Sequence, residues 1–251
     1  MSSSFTAIAP YYDLLMRDVP YRGWVEYLHQ LLEARGFNPH RILDLACGTG
    51  SVSEILAVQG FEVVGVDVSE PMVERARTKA EGKGIPVEYL VQDASVLRIP
   101  GERFDLCVSF FDSLNYIEEP AKLQMAIHSV YEHLRPGGLF IFDVNSVFAL
   151  EGGFFDQDNT ASNARLRYVW RSEYDAESRL CIVHMRFFLR ARDGIDQEFR
   201  ETHVQFAYEE EELRQMLATA GFYRIETYNA YSLLPVRPTT DRIFFVAERP
   251  K

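Results

Sequence analysis

The stretch Arg-Ile-Leu-Asp-Leu-Ala-Cys-Gly-Thr-Gly, residues 41–50, decides the fold of this chain. Its first half is apolar enough to predict a buried strand, and the small residues that follow predict a tight turn into a helix at residues 51–58. A strand, a glycine-containing turn and a helix in this order form the first unit of a nucleotide-binding α/β sheet. Gly48 and Gly50 let a ligand approach the backbone, and the N–H groups at the start of the helix face that ligand.

The spacing of the glycines distinguishes between two classes of nucleotide ligand. A dinucleotide fingerprint, G-x-G-x-x-G, requires a third glycine where this chain has Ser53. Here Asp44 precedes the turn by two positions, and Ala46, Gly48 and Gly50 occupy alternate positions. A dehydrogenase with a nicotinamide cofactor is therefore disfavoured.

Acidic residues follow the next two predicted strands. Asp67 ends a strand at residues 61–66, and Asp93 follows a strand at residues 87–91. A carboxylate at the carboxyl end of the second strand is placed to accept hydrogen bonds from both ribose hydroxyls of an adenosine. Because the glycine turn lies upstream, we favour this function for Asp67 over that of a simple loop cap.

These motifs, in this order, resemble those of the class I S-adenosylmethionine (AdoMet) methyltransferases, whose motif I is usually D/E-x-G-x-G-x-G. Ala46 stands in place of the first glycine. The resemblance covers residues 41–145 and, in outline, 208–248. It implies an α/β fold with a Rossmann-like seven-stranded sheet whose last strand is antiparallel, and AdoMet as the methyl donor. The whole chain is similar to small bacterial methyltransferases with a β-sheet insertion after strand five, including amino-sugar N-methyltransferases.

The resemblance also implies functions for individual residues. Asp93 is expected to accept a hydrogen bond from the adenine amino group, with the next backbone N–H, of Ala94, at a ring nitrogen. Tyr12, in an N-terminal helical segment, is a candidate gate over the methyl donor, although an aromatic side chain packed on the sheet is about as frequent. The full set of predicted cofactor-binding residues is Asp44, Ala46, Gly48, Gly50, Asp67, Val68, Met72, Asp93, Ala94 and Phe110.

The periodicity of the sequence changes after residue 145. Helical spacing gives way to alternation of apolar and polar residues, which predicts an added antiparallel sheet at residues 146–208. We expect this insertion to separate two parts of the methyltransferase core, residues 1–145 with an N-terminal helical cap and residues 209–251. The insertion is expected to lie on the acceptor side of the site.

A hairpin turn is predicted at residues 192–195, Arg-Asp-Gly-Ile, because Asp-Gly supplies the positive φ that a two-residue turn requires. This turn places His184 opposite His203 and Arg186 opposite Glu201, on an ionisable face behind an apolar one. Two histidines near an Arg–Glu pair would suit an acceptor pocket. Ionisable residues on one face of a sheet are nevertheless more often simply exposed to solvent.

The predicted reaction is an in-line displacement in which a nitrogen or oxygen of a small molecule takes the methyl group. Positioning accounts for much of such catalysis, since well-aligned reactions gain roughly 7–11 kcal/mol. An amine needs only to arrive unprotonated, whereas a hydroxyl group requires a base. The candidate catalytic residues are His203, Asp112 and Tyr12. We expect the acceptor between the strand-four loop (Asp112 and Asn115), Asn145 at the end of strand five, Tyr12, and the polar face of the added sheet.

Composition and charge limit the function further. A formal net charge of −11 argues against a nucleic-acid partner, because phosphate recognition relies on clustered Lys and Arg. Apolar runs are too short for a membrane span, and the N-terminus lacks a signal-peptide pattern, so a cytoplasmic protein without a membrane partner is expected. Three cysteines without ligand spacing predict no metal site.

Two alternatives stay open at this point. The protein could form a homodimer, and its function could be to bind AdoMet or a nucleoside without turnover.

Overall fold

The computed structural model describes residues 5–101, 103–161, 164–190 and 196–251. Within these residues the chain forms seven α-helices and eleven strands. The helices are α1 (Tyr12–Leu15), α2 (Tyr21–Glu33), α3 (Ser51–Val58), α4 (Glu70–Lys83), α5 (Pro120–His133), α6 (Val147–Glu151) and α7 (Glu210–Ala220). The strands are β1 (Arg41–Leu45), β2 (Glu62–Asp67), β3 (Val87–Val91), β4 (Phe104–Ser109), β5 (Leu134–Asn145), β6 (Gln157–Asn159), β7 (Leu166–Asp175), β8 (Leu180–Arg190), β9 (Asp196–Phe206), β10 (Tyr223–Asn229) and β11 (Arg242–Glu248).

The described strands form two sheets. The larger has the order β10-β11-β5-β4-β1-β2-β3, and the smaller has the order β6-β7-β8-β9. In the larger sheet β11 runs antiparallel to both β5 and β10, whereas β1 to β5 pair in parallel. The predicted Rossmann-like sheet with an antiparallel last strand and the added antiparallel sheet are both confirmed. In the described part of the chain no helix has the length and apolarity that a membrane crossing requires.

Strand β1 lies inside the larger sheet, between β2 and β4. Leu43 and Leu45 belong to the core that α5 and α7 cover, and Ile42 belongs to the core on the opposite side, with α2 and α3. A parallel strand covered on both faces reads as a continuous apolar run, which is the pattern seen in the sequence. The turn after β1 therefore emerges at the carboxyl edge of the sheet, the usual ligand-binding edge of this architecture.

The second sheet is antiparallel throughout and buries one of its faces. Cys181, Val183, Met185 and Phe187 on that face belong to a cluster that also contains Ile8 from the N-terminal segment. The apolar alternation read from the sequence thus describes a real inner face. The division of the chain into residues 1–145 and 209–251 around an insertion at 146–208 stays a prediction.

The predicted register of the β8–β9 pair is wrong by one residue. His184 lies opposite Thr202, and His203 lies opposite Val183. A shift of one residue moves every side chain of a strand to the other face, so His203 is buried (2% exposed) on the apolar face, whereas His184 is exposed on the outer one. The pairing of Arg186 with Glu201 fails for the same reason, and the turn at residues 192–195 lies outside the described residues.

Candidate functional site

A cavity of about 1180 Å³ lies at the carboxyl edge of the larger sheet. Its walls come from the loops after β1, β2, β3 and β4, from the N-terminal segment, and from the inner face of the second sheet. Nine of the ten predicted cofactor-binding residues line it; the exception is Gly50, whose backbone faces Tyr89. The switch point of an open α/β sheet is where such proteins bind ligands.

Three residues of the turn after β1 adopt the left-handed region. Ala46, Gly48 and Gly50 have φ values of 57°, 54° and 76°. A Cβ atom on Gly50 would lie 2.2 Å from the Tyr89 hydroxyl oxygen, so packing alone requires glycine there. A Cβ on Gly48 would meet nothing within 4 Å, and because Gly48 lines the cavity, a ligand has free access to its backbone. Ala46 adopts the same conformation at the cost of backbone strain.

Asp67 is held in place by two backbone donors. Its Oδ2 accepts a hydrogen bond from the N–H of Gly48 and its Oδ1 one from the N–H of Ser69, both at 2.8 Å. Burial raises the pKa of this carboxyl group. Each carboxylate oxygen has a second lone pair, so Asp67, which lines the cavity, retains capacity to accept hydrogen bonds from two hydroxyls of a ligand.

Asp44 is a second buried carboxyl group at this edge. Its Oδ2 accepts a hydrogen bond from the Ser53 hydroxyl at 2.5 Å. Burial is the main cause that raises its pKa to about 7, and the neighbouring charge of Asp67 acts in the same direction. A positively charged ligand group in the cavity would favour the ionised form.

Asp93 stands at the rim of the cavity with local partners. Its Oδ1 accepts hydrogen bonds from the backbone N–H and the hydroxyl of Ser95, and its Oδ2 lies 2.9 Å from Lys122 Nζ. Burial acts to raise the pKa of this group, but the hydrogen bonds from Lys122 and Ser95 together hold it below the usual aspartate range. Asp93 is therefore an ionised hydrogen-bond acceptor in the cavity lining.

Asp112, in the loop after β4, is bound by side chains from the ends of two strands, one in each sheet. Its oxygens accept hydrogen bonds from Arg242 Nη2 at 2.7 Å and from Gln205 Nε2 at 2.6 Å. Arg242 also donates to Asp143, and Gln205 accepts from the Asn145 side chain at 3.0 Å. These contacts fix the carboxylate of Asp112 in position and favour a structural function over that of a base.

His203 lies in a short chain of hydrogen-bonded side chains. Its Nε2 is 2.8 Å from Glu201 Oε2, and its Nδ1 is 3.1 Å from the hydroxyl oxygen of Tyr116. Because a carboxylate only accepts, Nε2 carries a proton. In the neutral imidazole, Nδ1 then accepts the hydrogen bond from the tyrosine hydroxyl. His203 and Tyr116 both line the cavity.

Glu201 also fixes the N-terminal segment. Its carboxylate accepts hydrogen bonds from the backbone N–H groups of Phe5, Ala7 and Ile8, at 3.2, 2.7 and 3.0 Å. The ring of Phe5 packs against His203, with centroids 4.4 Å apart. Residues 5–15, which we call the N-terminal strap, are thus attached to the second sheet at one end.

The other end of the N-terminal strap is attached to α4 and to the turn after β1. Asp13 accepts a hydrogen bond from the Thr49 hydroxyl at 2.8 Å and forms ion pairs with Arg75 and Lys79 of α4, at 2.8 and 2.7 Å. Tyr12 lies between the two attachments and lines the cavity, and burial raises the pKa of its hydroxyl well above the usual value. This position is compatible with the gate predicted from the sequence.

The second sheet presents its apolar face to the cavity. Tyr168, Trp170, Met185 and Phe187 line the wall on that side, together with His203. The prediction that the polar face of this sheet would line the site is therefore wrong, because the register shift puts the exposed His184 on the outside.

Several residues of this site escaped the sequence reasoning. The predicted register places Glu201 on the wrong face, and the sequence carries no local signal that its carboxylate binds the N-terminal strap. Arg242 contacts Asp112 across 130 positions of the chain, so the pair is visible only in the folded structure. Tyr116 lies in the loop after β4, where a ligand-facing residue is expected, and that position is the one signal that favours it.

Comparison with known proteins agrees with this architecture. Residues 42–138 match a family described as a methyltransferase domain. A protein of Geobacillus sp. (strain WCH70), provisionally named a methyltransferase, is 34% identical over 98% of this chain and 100% of its own length. The crystal structure of an S-adenosylmethionine-dependent methyltransferase from Clostridium acetobutylicum superimposes with a TM-score of 0.86 at 29% identity, covering 98% of this chain and 99% of the other.

A third comparison concerns the fold alone. An amino pentose methyltransferase from Micromonospora echinaspora, solved with S-adenosylmethionine bound, has a TM-score of 0.73 at 22% identity, covering 95% of each chain. The sheet order, the turn and the carboxylates at the strand ends define a nucleotide-binding α/β protein of the methyltransferase type. Together with the full-length relative, they show that the chain belongs to the AdoMet-dependent methyltransferases, with AdoMet as its cofactor.

Proposed function

We propose that this enzyme transfers the methyl group of AdoMet to a nitrogen or oxygen of a small-molecule acceptor. The observation that supports this function is one cavity that joins the carboxylates at the strand ends to a buried histidine on the second sheet. A donor site and an acceptor site must share one volume, because the methyl group moves directly between them.

The donor end of the cavity has the groups that AdoMet requires. In this proposal Asp67 accepts hydrogen bonds from the ribose hydroxyls, Asp93 and the N–H of Ala94 contact the adenine, and the backbone at Gly48 lies against the methionine part. Asp44 adds negative charge beside a cationic ligand. When bound, AdoMet supplies an electrophilic methyl group that a lone pair of the acceptor takes, leaving neutral S-adenosylhomocysteine.

The acceptor end of the cavity has a path for a proton. A hydroxyl acceptor can give its proton to the Tyr116 oxygen while the proton of Tyr116 moves to His203 Nδ1. The carboxylate of Glu201, 2.8 Å from Nε2, stabilises the imidazolium that forms. An amine acceptor needs only to be unprotonated, and the same groups then orient its lone pair.

The N-terminal strap supplies water exclusion. Its two attachments, at Glu201 and at Asp13, hold Tyr12 and Leu15 over the cavity between the two sheets. A covered cavity strengthens the electrostatic interactions inside it.

Methyl transfer from AdoMet with a tritiated methyl group to a pool of cellular metabolites tests this function. We expect labelled product and an equivalent amount of S-adenosylhomocysteine from the wild-type protein. AdoMet binding without product from fractions that cover the small-molecule pool would instead indicate a protein that senses AdoMet without turnover. The acceptor atom follows from mass-spectrometric fragmentation of the labelled product.

A further inference from the structure

The cavity wall on the second sheet is built from rings. Tyr168 and Trp170 lie with their centroids 4.8 Å apart, and Phe187 packs edge-to-face on Trp170 at 6.3 Å. Met185, opposite Trp170 on β8, and Phe155 complete this part of the lining. We call these five residues the aromatic wall. Such a surface binds flat, apolar ring systems by stacking and burial.

The charged groups of the cavity argue against an anionic acceptor. Among the described residues, Lys122 and Arg242 are the Lys and Arg side chains of the lining, and both already have acidic partners. Acidic side chains are far more numerous: Asp44, Asp67, Glu70, Asp93, Asp112, Glu118, Glu119 and Asp241. A phosphate or carboxylate on the acceptor would therefore enter a negative field, and no described residue of the lining offers it a free cation.

The polar groups beside the aromatic wall are suited to a hydroxyl. His203 and Tyr116 share the cavity with the aromatic wall and are hydrogen-bonded to each other. A second hydrogen bond joins His203 to Glu201, on the side away from the cavity. A ring that lies on the wall can thus direct a hydroxyl toward Tyr116. The carboxylate of Glu201 at the end of this chain stabilises the imidazolium that forms when His203 takes a proton.

We propose that the acceptor is a small, uncharged hydroxylated ring compound, bound on the aromatic wall with its hydroxyl at Tyr116. This inference rests on the proposed function. In the reaction the hydroxyl proton passes to the Tyr116–His203 pair, the acceptor oxygen forms the new C–O bond, and the C–S bond of the sulfonium breaks. The products are a methyl ether and S-adenosylhomocysteine. Phosphorylated and nucleotide-linked acceptors are rejected by the acidic lining.

Two probes that share one ring system, the neutral 2-naphthol and the anionic 2-naphthyl phosphate, test the inference. Both are titrated into the protein loaded with S-adenosylhomocysteine, with calorimetry as the readout. We expect 2-naphthol to bind with a Kd below about 1 mM and at least about tenfold more tightly than the phosphate. A phosphate that binds as well as the naphthol, or a naphthol without detectable binding, overturns the inference.

Matched variants show whether the aromatic wall is the binding surface. Trp170→Ala should weaken 2-naphthol binding by about tenfold or more, whereas Phe188→Ala, on the outer face of the same sheet, should leave it unchanged. If Trp170→Ala does not fold, Tyr168→Ala takes its place. Equal losses in the inner and outer variants would contradict the inference. Failure of the wild type to bind S-adenosylhomocysteine would contradict the proposed function instead.

Discussion

The carboxylate of Glu201 lies 2.8 Å from His203 Nε2 and at the same time binds three backbone N–H groups at the start of the described chain. One buried side chain therefore orients the imidazole and anchors the N-terminal strap. The position of the histidine and the anchoring of the N-terminal strap are coupled through this single group.

Replacement of His203 tests its proposed function as a base or acceptor contact. His203→Ala should lower kcat/KM for the acceptor by about 10²-fold or more for a hydroxyl acceptor, and by less if the ring only orients an amine. The affinity for AdoMet should not change, because the donor residues belong to the larger sheet. His184→Ala is the matched control on the outer face. Equal activity of the two variants would remove His203 from the mechanism.

Replacement of Glu201 tests the anchor of the N-terminal strap. Glu201→Gln keeps the shape but puts an amide donor against backbone donors, and loss of hydrogen bonds to a charged acceptor should lower the free energy of unfolding by about 1.5–3 kcal/mol. Hydrogen exchange of residues 5–15 should accelerate. Glu198→Gln, at an exposed position of the same strand, is the control. Unchanged exchange in Glu201→Gln would show that the strap is held by other contacts.

The stabilisation by Glu201 should depend on pH. Burial acts to raise its pKa, but the hydrogen bonds from His203 and from the N–H groups of Ile8 and Ala7 together hold it below the usual glutamate value of 4.5. The ionised form therefore stabilises the folded state above the unfolded-state pKa, and this contribution disappears as the pH falls through the lowered folded-state pKa. Unfolding curves of the wild type and Glu201→Gln should converge below that range.

Asp44 should show the opposite pH dependence. Burial raises the pKa of Asp44 to about 7. Its ionisation therefore destabilises the folded state as the pH rises from the usual aspartate range to above 7. Asp44→Asn should therefore gain stability over the wild type by about 2 kcal/mol between pH 5 and pH 8, and it should bind AdoMet more weakly. Asp158→Asn, at an exposed site, should show neither effect. A stability difference that does not vary with pH would contradict this.

Ala46 offers a test of backbone strain in the turn. A φ of 57° costs a non-glycine residue about 1–2 kcal/mol of stability. Glycine avoids this strain, but its greater conformational freedom in the unfolded chain lowers the free energy of unfolding by about 0.4–1 kcal/mol. Ala46→Gly should therefore be about 0.5 kcal/mol more stable in urea unfolding. Ala57→Gly, inside α3, should instead be destabilised by about 1 kcal/mol. Destabilisation of both variants to the same extent would show that Ala46 is not strained.

Much of the larger sheet could be predicted from the sequence because its signals are local. The apolar run before Asp44 and the small residues after it specify a strand and a turn without reference to the rest of the chain. Asp67 and Asp93 could be placed at the ligand-binding edge because parallel strands end on the same side of a sheet.

The second sheet shows where such reasoning fails. The Asp-Gly pair alone predicts one register of β8 and β9, whereas the burial of the inner face fixes a pairing shifted by one residue. The network of Asp112, Gln205 and Arg242 joins segments far apart in sequence. In the sequence alone, a polar residue of this network cannot be distinguished from a polar residue that is exposed to solvent.

Calorimetric titration of AdoMet into the wild-type protein and into Asp67→Ala tests the central claim most directly. The wild type should bind AdoMet, and the variant, folded but without the acceptor of the two ribose hydroxyls, should bind more weakly by about 1.5–3 kcal/mol, the range for hydrogen bonds to a charged group. This corresponds to roughly a tenfold to hundredfold increase in Kd. Equal affinity of a folded Asp67→Ala protein, or no binding by the wild type, would contradict the assignment of this cavity as the AdoMet site.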